Sequence, residues 1–218
     1  MKECRILVAD DHDMVRRGLR SLLEPHGDLV ICGEATNGLQ AVAMAEKLRP
    51  NLVIMDITMP ELNGIEAVRR IRKALPDCEI LVLTMHHSEQ LVEELLDAGV
   101  RGYVLKTDAG ELVETAVRHL REHRPFFTSR VSEVLLGAYR DARESTPLRG
   151  EESSTLTPRE REVVQLIAEG KTTKEAAARL GISEKTAETH RTHVMRKLGV
   201  HSVSEVVRYA IRNKMIEP

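Results

Sequence analysis

Apolar residues in the first 123 positions form two kinds of pattern that alternate along the chain. Five continuous runs are rich in branched side chains and are four to seven residues long, which is typical of buried strands. They cover residues 4–9, 29–35, 52–55, 79–84 and 102–105. After each run, apolar residues recur every three or four positions, which predicts an amphipathic helix. Five strands that alternate with five helices predict a five-stranded parallel sheet with helices on both faces.

Side chains that can bind phosphate or a metal follow four of the predicted strands. Asp10 and Asp11 come after the first, Asp56 after the third, Thr84 at the end of the fourth, and Lys106 after the fifth. Because ligands bind at the carboxyl ends of parallel strands, we expect these side chains to share one edge of the sheet.

Carboxylates gathered at one edge would repel one another unless a cation lay between them. Mg2+ takes oxygen ligands, usually one or two carboxylates plus a phosphate. An aspartate beside Mg2+ can attack phosphorus and form an acyl phosphate. Thr84 and Lys106 could then bind the oxygens of the transferred group. The sequence therefore predicts a site that accepts a phosphoryl group.

Each of these residues also has a purely structural explanation. Asp10 or Asp11 could cap the following helix, and Asp56 could cap a turn. Lys106 could be a solvated surface charge, and Thr84 an ordinary strand-end residue. The joint occurrence of all five at the ends of four of the five strands favours the phosphoryl-binding interpretation.

The order and spacing of these motifs resemble the receiver domain of bacterial two-component response regulators. The resemblance covers residues 4–123 and rests on "DD" (10–11), "DITMP" (56–60), "LTM" (83–85) and the lysine at 106. It implies a flavodoxin-like fold in which Asp56 accepts a phosphoryl group from the phosphohistidine of a sensor histidine kinase.

The resemblance also implies roles for the neighbouring residues. Mg2+ would be held by Asp10 or Asp11, by Asp56, and by the backbone carbonyl of Thr58. Thr84 and Lys106 would contact the phosphoryl group. Tyr103 matches the family's switch aromatic, which moves inward when Thr84 is drawn toward the phosphate.

The chain changes character after residue 123. Val131, Val134, Leu135, Ala138 and Tyr139 recur at helical spacing and predict a linker helix at 130–142. The stretch "STPLRGEESST" then has the composition of a flexible tether. We therefore predict three parts: a domain at 1–123, a linker at 124–154 and a second domain at 155–218.

The last part contains explicit helix start signals. "TPRE" (157–160), "TTKE" (172–175) and "SVSE" (202–205) are capping boxes, each of which predicts a helix start. Gly170 and Gly181 are placed to end the first two helices, and residues 183–199 predict a third. Four short helices with a tight "LGIS" turn between the second and third predict a small all-α helix-turn-helix domain.

The third of these helices has two contrasting faces. Its apolar face should pack inward and consists of Ala187, Val194 and Leu198. Its opposite face is polar and partly basic, and consists of Lys185, Thr189, Thr192 and Arg196. Such a stripe suits the major groove of double-stranded DNA, although a merely solvated helix face would have the same pattern.

Residues 156–202 resemble the LuxR-type helix-turn-helix, and the whole chain resembles the NarL/FixJ class of transcription regulators. The residues expected to contact DNA are Lys185, Thr186, Glu188, Thr189, Arg191, Thr192, Arg196 and Lys197. The family implies that the unphosphorylated receiver masks the recognition helix, and that phosphorylation frees the domain to pair as a homodimer on DNA. Ala176 and Ala187 replace larger apolar residues of the commonest form, which lowers core volume.

Charge, cysteine content and the length of the apolar runs each add one expectation. The chain carries a net charge of +3 from Arg149 onward and −5 before it, so the basic part is weak enough to need dimeric DNA binding. Three widely spaced cysteines predict free thiols in a reducing cytosol. No apolar run approaches the roughly 20 residues of a membrane helix, so we expect a cytoplasmic protein without membrane contact.

Two other functions use the same residues. A phosphatase of the haloacid-dehalogenase kind also forms an aspartyl phosphate, but it needs a second aspartate two residues later, where this chain has Thr58. We therefore expect no enzymatic turnover. A receiver that is active without phosphorylation is the third possibility, and the intact set of site residues argues against it.

Overall fold

The computed structural model describes residues 3–85, 89–128, 131–132, 156–200, 202–213 and 215–216. Its first part alternates strands and helices as the sequence predicts. The elements are β1 Cys4–Ala9, α1 Asp13–Leu23, β2 Leu29–Ala35, α2 Gly38–Leu48, β3 Leu52–Asp56, α3 Gly64–Ala74, β4 Glu79–Thr84, α4 Glu89–Asp97, β5 Gly102–Leu105 and α5 Ala109–Arg121. A short sixth strand that the sequence did not predict, β6, covers Phe126–Phe127.

All six strands are parallel and lie in the order β2-β1-β3-β4-β5-β6. The chain runs outward from β1 in one direction to β2 and in the other to β3, so strand order reverses beside β1. A crevice at the carboxyl ends of β1 and β3 follows from this reversal, and it is where open α/β sheets bind ligands.

Each face of the sheet is covered by its own set of helices. On β3, Val53 and Met55 pack in the cluster that includes α2, α3 and α4, whereas Leu52 and Ile54 pack in the cluster that includes α1 and α5. Successive side chains of a strand point to opposite faces. Burial on both faces explains why β3 is continuously apolar rather than alternating.

The C-terminal part contains four helices: α6 Pro158–Ala168, α7 Thr173–Leu180, α8 Glu184–Leu198 and α9 Val203–Arg212. The capping boxes at Thr157 and Thr172 form both of their reciprocal hydrogen bonds. Gly181 ends α7 in the left-handed conformation, with φ +64°. A separate core that includes Val163, Val194 and Val206 holds these helices together.

Most of the predicted linker lies outside the described residues. Of the helix predicted at 130–142, only Val131 and Ser132 are described, and both are helical. Val131 is buried in the same cluster as α2, α3 and α4. The predicted tether also lies outside the described residues.

Two further expectations concern the described residues. No helix among them is long and apolar enough to cross a membrane. The three cysteines are free, with Cys4 and Cys78 buried and Cys32 partly exposed. Burial raises the pKa of Cys78 to about 12, which leaves its thiol protonated and unreactive at neutral pH.

Candidate functional site

The carboxyl ends of β1 and β3 bring two of the predicted acids together. Ala9 pairs with Met55 in the parallel ladder, so Asp10 and Asp56 leave the sheet side by side. Both are buried, with 1% and 3% of their surface exposed. Two acids buried this deeply need a cationic partner.

Lys106 supplies that partner from the end of β5. Its Nζ lies 2.7 Å from Asp56 Oδ2 and 2.8 Å from Asp10 Oδ2. Thr84, at the end of β4, is fully buried at the same edge of the sheet. The lysine is therefore not the solvated surface charge that the structural explanation required.

Electrostatics at this site favour a reactive carboxylate. Burial, helped by the negative charge of Asp10, raises the pKa of Asp56 to about 6, although Lys106 opposes the shift. Burial alone would lower the pKa of Lys106, but the two carboxylates raise it overall. Strongly shifted pKa values in a cleft are typical of functional sites.

Asp11 and His12 complete a cluster at the mouth of the crevice. The His12 Nδ1 lies 2.7 Å from Asp11 Oδ1, and the backbone N–H of His12 donates to Asp10 Oδ1 at 2.9 Å. His12, not an aspartate, is the N-cap residue of α1. The predicted alternative of Asp10 or Asp11 as a helix cap is therefore wrong.

The residues of this cluster suit a hard divalent cation. Ligand atoms of Asp10, Asp11, His12 and Asp56 all lie within 4.8 Å of one another. Asp10 Oδ2 is buried, and the Lys106 ammonium lies 2.8 Å from it. Carboxylate oxygens clustered in this way are suited to bind a divalent cation, and Mg2+ prefers oxygen ligands. The sequence had not singled out His12.

The segment that joins β3 to α3, residues 57–63, folds closely over Asp56. The backbone N–H of Thr58 lies 3.4 Å from Asp56 Oδ1. The residue after the segment must be Gly64, because a Cβ atom there would lie 2.0 Å from the carbonyl oxygen of Asp56. We call residues 57–63 the phosphoacceptor loop.

Tyr103 lies inside the molecule, with 1% of its surface exposed. It belongs to the apolar cluster that includes Leu91 and Leu95 of α4. Burial raises the pKa of its hydroxyl to about 12. The aromatic ring therefore lies inward in this structure, and its role as a switch stays a prediction.

Helix α8 exposes the polar face that the sequence predicted. Ala187 and Val194 are buried, and Leu198 is partly buried against the same core. Seven of the residues expected to contact DNA are exposed: Lys185, Thr186, Glu188, Thr189, Thr192, Arg196 and Lys197.

Two members of that set, Arg191 and Lys197, contact neighbouring helices. Arg191 is partly buried and donates to Thr173 Oγ1 at 3.3 Å. The Nζ of Lys197 lies 2.9 Å from Glu160 Oε2, a carboxylate that also caps α6. These two side chains brace α8 against α6 and α7.

The receiver contacts the C-terminal part through α6 and α7 rather than through α8. Arg161 Nε lies 2.8 Å from Glu66 Oε1, Arg179 pairs with Glu61, and Arg70 with Glu162. Among the described residues, no hydrogen bond or ion pair joins α8 to the receiver. The masking of the recognition helix that the resemblance implied stays a prediction.

Sequence reasoning missed the buried polar residues of this contact. Gln165 is completely buried, and Glu162 and Glu66 are 4% and 2% exposed. One signal was present, because Gln165 interrupts the apolar run "VVQLI" of α6. A polar residue inside an apolar stripe commonly marks a buried hydrogen bond.

Comparison with known proteins supports both halves of the chain. Residues 6–117 match the family described as response regulator receiver domain, and residues 154–210 match bacterial regulatory proteins of the luxR family. The transcriptional regulatory protein LiaR of Bacillus subtilis is 37% identical over 97% of this chain and 99% of its own length. The response regulator protein VraR of Staphylococcus aureus is 36% identical over 98% of this chain and 99% of its own.

A solved structure adds a relative bound to DNA. RcsB from Salmonella enterica serovar Typhimurium, bound to promoter rprA in the presence of phosphomimetic BeF3−, has a TM-score of 0.62 and 27% identity over 95% of this chain and 98% of its own. These relatives are regulators rather than enzymes. The chain therefore belongs to the response regulators of the NarL/FixJ class, with a receiver domain followed by a luxR-type DNA-binding domain.

Proposed function

We propose that this chain is a cytoplasmic regulator in which phosphorylation of Asp56 by a sensor histidine kinase controls how the C-terminal domain binds DNA. In this proposal residues 1–123 form the receiver, 124–154 the linker and 155–218 the DNA-binding domain. The observation that carries the proposal is the ion pair of Lys106 with both Asp56 and Asp10, at the sheet edge where strand order reverses.

The chemistry is a single phosphoryl transfer. A carboxylate oxygen of Asp56 attacks the phosphorus of the phosphohistidine, and an O–P bond forms as the N–P bond breaks. The imidazole leaves as the kinase's histidine, and the product is an acyl phosphate. Lys106 then pairs with an oxygen of the phosphoryl group, and the Thr84 hydroxyl contacts another.

The acidic cluster fits Mg2+ as the cofactor of this step. Asp10, Asp11, Asp56 and the carbonyl of Thr58 would hold it. When bound, the ion neutralises charge that develops on the transferred oxygens. Thr58 occupies the position where a phosphatase would need an acid, which suits a site that keeps its phosphoryl group.

On the DNA side, the exposed stripe of α8 provides the contacts. Lys185, Thr189 and Thr192 lie on one exposed face with Arg196, and such a face fits the major groove. We propose that two copies bind together, because a net charge of +3 gives one domain little affinity for phosphates.

The test uses Asp56→Asn in the full-length chain. A binding site is first selected from random double-stranded DNA with the wild-type protein. Binding of that fragment is then measured with and without acetyl phosphate and Mg2+, together with incorporation of labelled phosphate into the protein. We expect acetyl phosphate to label wild type and strengthen its DNA binding, and to do neither with Asp56→Asn.

Asp13→Asn is the matched control, because Asp13 is an exposed acid at the start of α1 that pairs with Arg16 and Arg17. It should respond like wild type. If acetyl phosphate still labels Asp56→Asn, the phosphoacceptor is another residue. If wild type binds DNA fully without any label, the receiver is active without phosphorylation.

A further inference from the structure

The phosphoacceptor loop is held from outside the receiver, by one side chain of α6. Gln165 Oε1 accepts from the backbone N–H of Asn63 at 2.8 Å, and Gln165 Nε2 donates to the carbonyl of Met59 at 2.9 Å. The same amide therefore binds two main-chain groups of the loop, one near its start and one at its end.

The orientation of this amide is fixed by a third partner. Gln165 Nε2 also donates to Glu169 Oε1 at 2.8 Å. An ionised carboxylate only accepts hydrogen bonds, so the nitrogen must face Glu169 and the oxygen must face Asn63. Gln165 is fully buried, and both of its polar atoms are satisfied, which makes the contact costly to break.

Glu169 makes a further contact at the middle of the loop. Its Oε1 accepts from the backbone N–H of Glu61 at 3.0 Å, and Arg179 lies 3.0 Å from the Glu61 carboxylate. Glu61 has φ +68°, a left-handed conformation that is strained for a residue with a side chain. Both its backbone and its side chain are held by the C-terminal domain.

The loop connects this contact directly to Asp56. The Thr58 N–H is 3.4 Å from Asp56 Oδ1, too long for a strong hydrogen bond. A phosphoryl group on Asp56 adds three strong acceptor oxygens, and a short hydrogen bond from the Thr58 N–H to one of them would require Thr58 to shift from its present position. The next residue is Met59, whose carbonyl Gln165 holds, so the two interactions compete for the position of the loop.

We infer that Gln165 and Glu169 are positioning residues for the phosphorylation site, contributed by the DNA-binding domain. They hold the phosphoacceptor loop in the geometry of the unphosphorylated state. The inference rests on the proposed role of Asp56. Because coupling between two sites is reciprocal, release of Gln165 favours phosphorylation as much as phosphorylation favours release of the domain.

The test compares full-length Gln165→Leu with wild type. Leu retains apolar volume but loses both hydrogen-bonding groups. The readouts are the initial rate of labelling by low concentrations of labelled acetyl phosphate with Mg2+, and the steady-state phosphorylated fraction. We expect both to rise, the rate by about fivefold or more.

Glu169→Ala is a second test variant. Glu169 is partly exposed, so its removal does not disturb either hydrophobic core, and the labelling rate of this variant should also rise. The double variant should label faster than either single variant. Its increase in rate should be smaller than the product of the two single increases, because both residues act on one loop. Arg70→Gln is the control, since it removes a contact between the domains that does not involve the loop. It should label within about twofold of wild type, because Glu162 keeps its ion pair with Arg159 and the loop keeps its contacts with Gln165 and Glu169.

Three results would overturn the inference. Gln165→Leu and Glu169→Ala could both label at the wild-type rate while folded, as judged by circular dichroism. Arg70→Gln could accelerate labelling as much as Gln165→Leu does, which would indicate loss of docking without a role for the loop. Wild type could fail to label at all, and that result alone identifies a failure of the proposed phosphorylation of Asp56.

Discussion

At the scale of single residues, Asp56 holds a negative charge in surroundings that oppose it. Its pKa is raised from 3.8 to about 6, with burial as the main cause. In the folded protein the carboxyl group therefore binds its proton more tightly than in the unfolded chain. Stability from this group is fully present below about pH 4 and is lost as the pH rises through 6.

Asp56→Asn should consequently stabilise the protein at neutral pH. With Mg2+ chelated, we expect a gain in the free energy of unfolding of about 1–3 kcal/mol at pH 7.5, and a much smaller gain at pH 4.5. Urea unfolding at the two pH values measures the difference. Asp13→Asn should show no such pH dependence, and a variant Asp56→Asn that is less stable than wild type at pH 7.5 contradicts the prediction.

Lys106 acts as the cation of the site, since its ammonium lies between two buried carboxylates. Lys106→Met keeps the apolar length and removes the charge. Without Mg2+ we expect it to destabilise the protein by about 3 kcal/mol or more, because two buried acids lose their partner.

Added Mg2+ should restore part of that loss, since a divalent ion between the acids substitutes for the lysine. The measurement is the shift of the thermal midpoint on titration with Mg2+, which should be larger for Lys106→Met than for wild type. Equal shifts in both proteins would mean that the metal binds elsewhere.

At the scale of elements, two neighbouring basic residues of α8 differ in their contacts within the protein. Arg196 is exposed, whereas Lys197 pairs with Glu160. Arg196→Ala should weaken binding to the selected DNA and lower the salt slope of log affinity by about one, as for a lost phosphate contact.

Lys197→Ala should change DNA affinity less than Arg196→Ala does. Fluorescence anisotropy measures the DNA affinity of both variants between roughly 50 and 200 mM salt, a range in which lost phosphate contacts change the affinity. A larger loss for Lys197→Ala would mean that its pair with Glu160 opens on DNA.

The helices and strands that were predicted correctly are those whose sequence pattern lies within a few neighbouring residues. Strand β3 is a continuous apolar run because both of its faces are buried, and α6 begins at Thr157 because the capping box is complete in four residues. Strand β6 was missed because two phenylalanines show no period. Its assignment depends on pairing Phe126 with Gly102, a tertiary contact.

At the scale of the whole molecule, buried charges join the two domains. Arg161 contacts Glu66, which is 2% exposed, and also lies 3.4 Å from Glu94. Arg161→Ala should weaken docking by about 1–3 kcal/mol, since a buried carboxylate loses a charged hydrogen bond.

Small-angle scattering should then give a larger radius of gyration for Arg161→Ala than for wild type. Arg208→Ala is the control, because Arg208 pairs only weakly with Glu205 in α9, at 3.9 Å. An unchanged scattering profile for Arg161→Ala would show that this pair does not hold the domains together.

The clustering of Asp10, Asp56 and Lys106 was largely predictable and the domain contact was not, for one physical reason. Asp10, Asp56 and Lys106 each end a strand, so the topology of a parallel sheet determines that they meet. Glu66 and Gln165 lie on helices of different domains, and no periodicity relates the two surfaces. The exposure of α8 in this structure accompanies that unpredicted contact.

Gln165 and Glu169 bind N–H and C=O groups of the loop, which every sequence provides. Their contact therefore depends on the number of residues between Met59 and Asn63, not on which side chains stand there. A chimera that joins this DNA-binding domain to a foreign receiver should retain regulation when the loop lengths match. One inserted residue should uncouple the two modules even where every phosphorylation-site residue is kept.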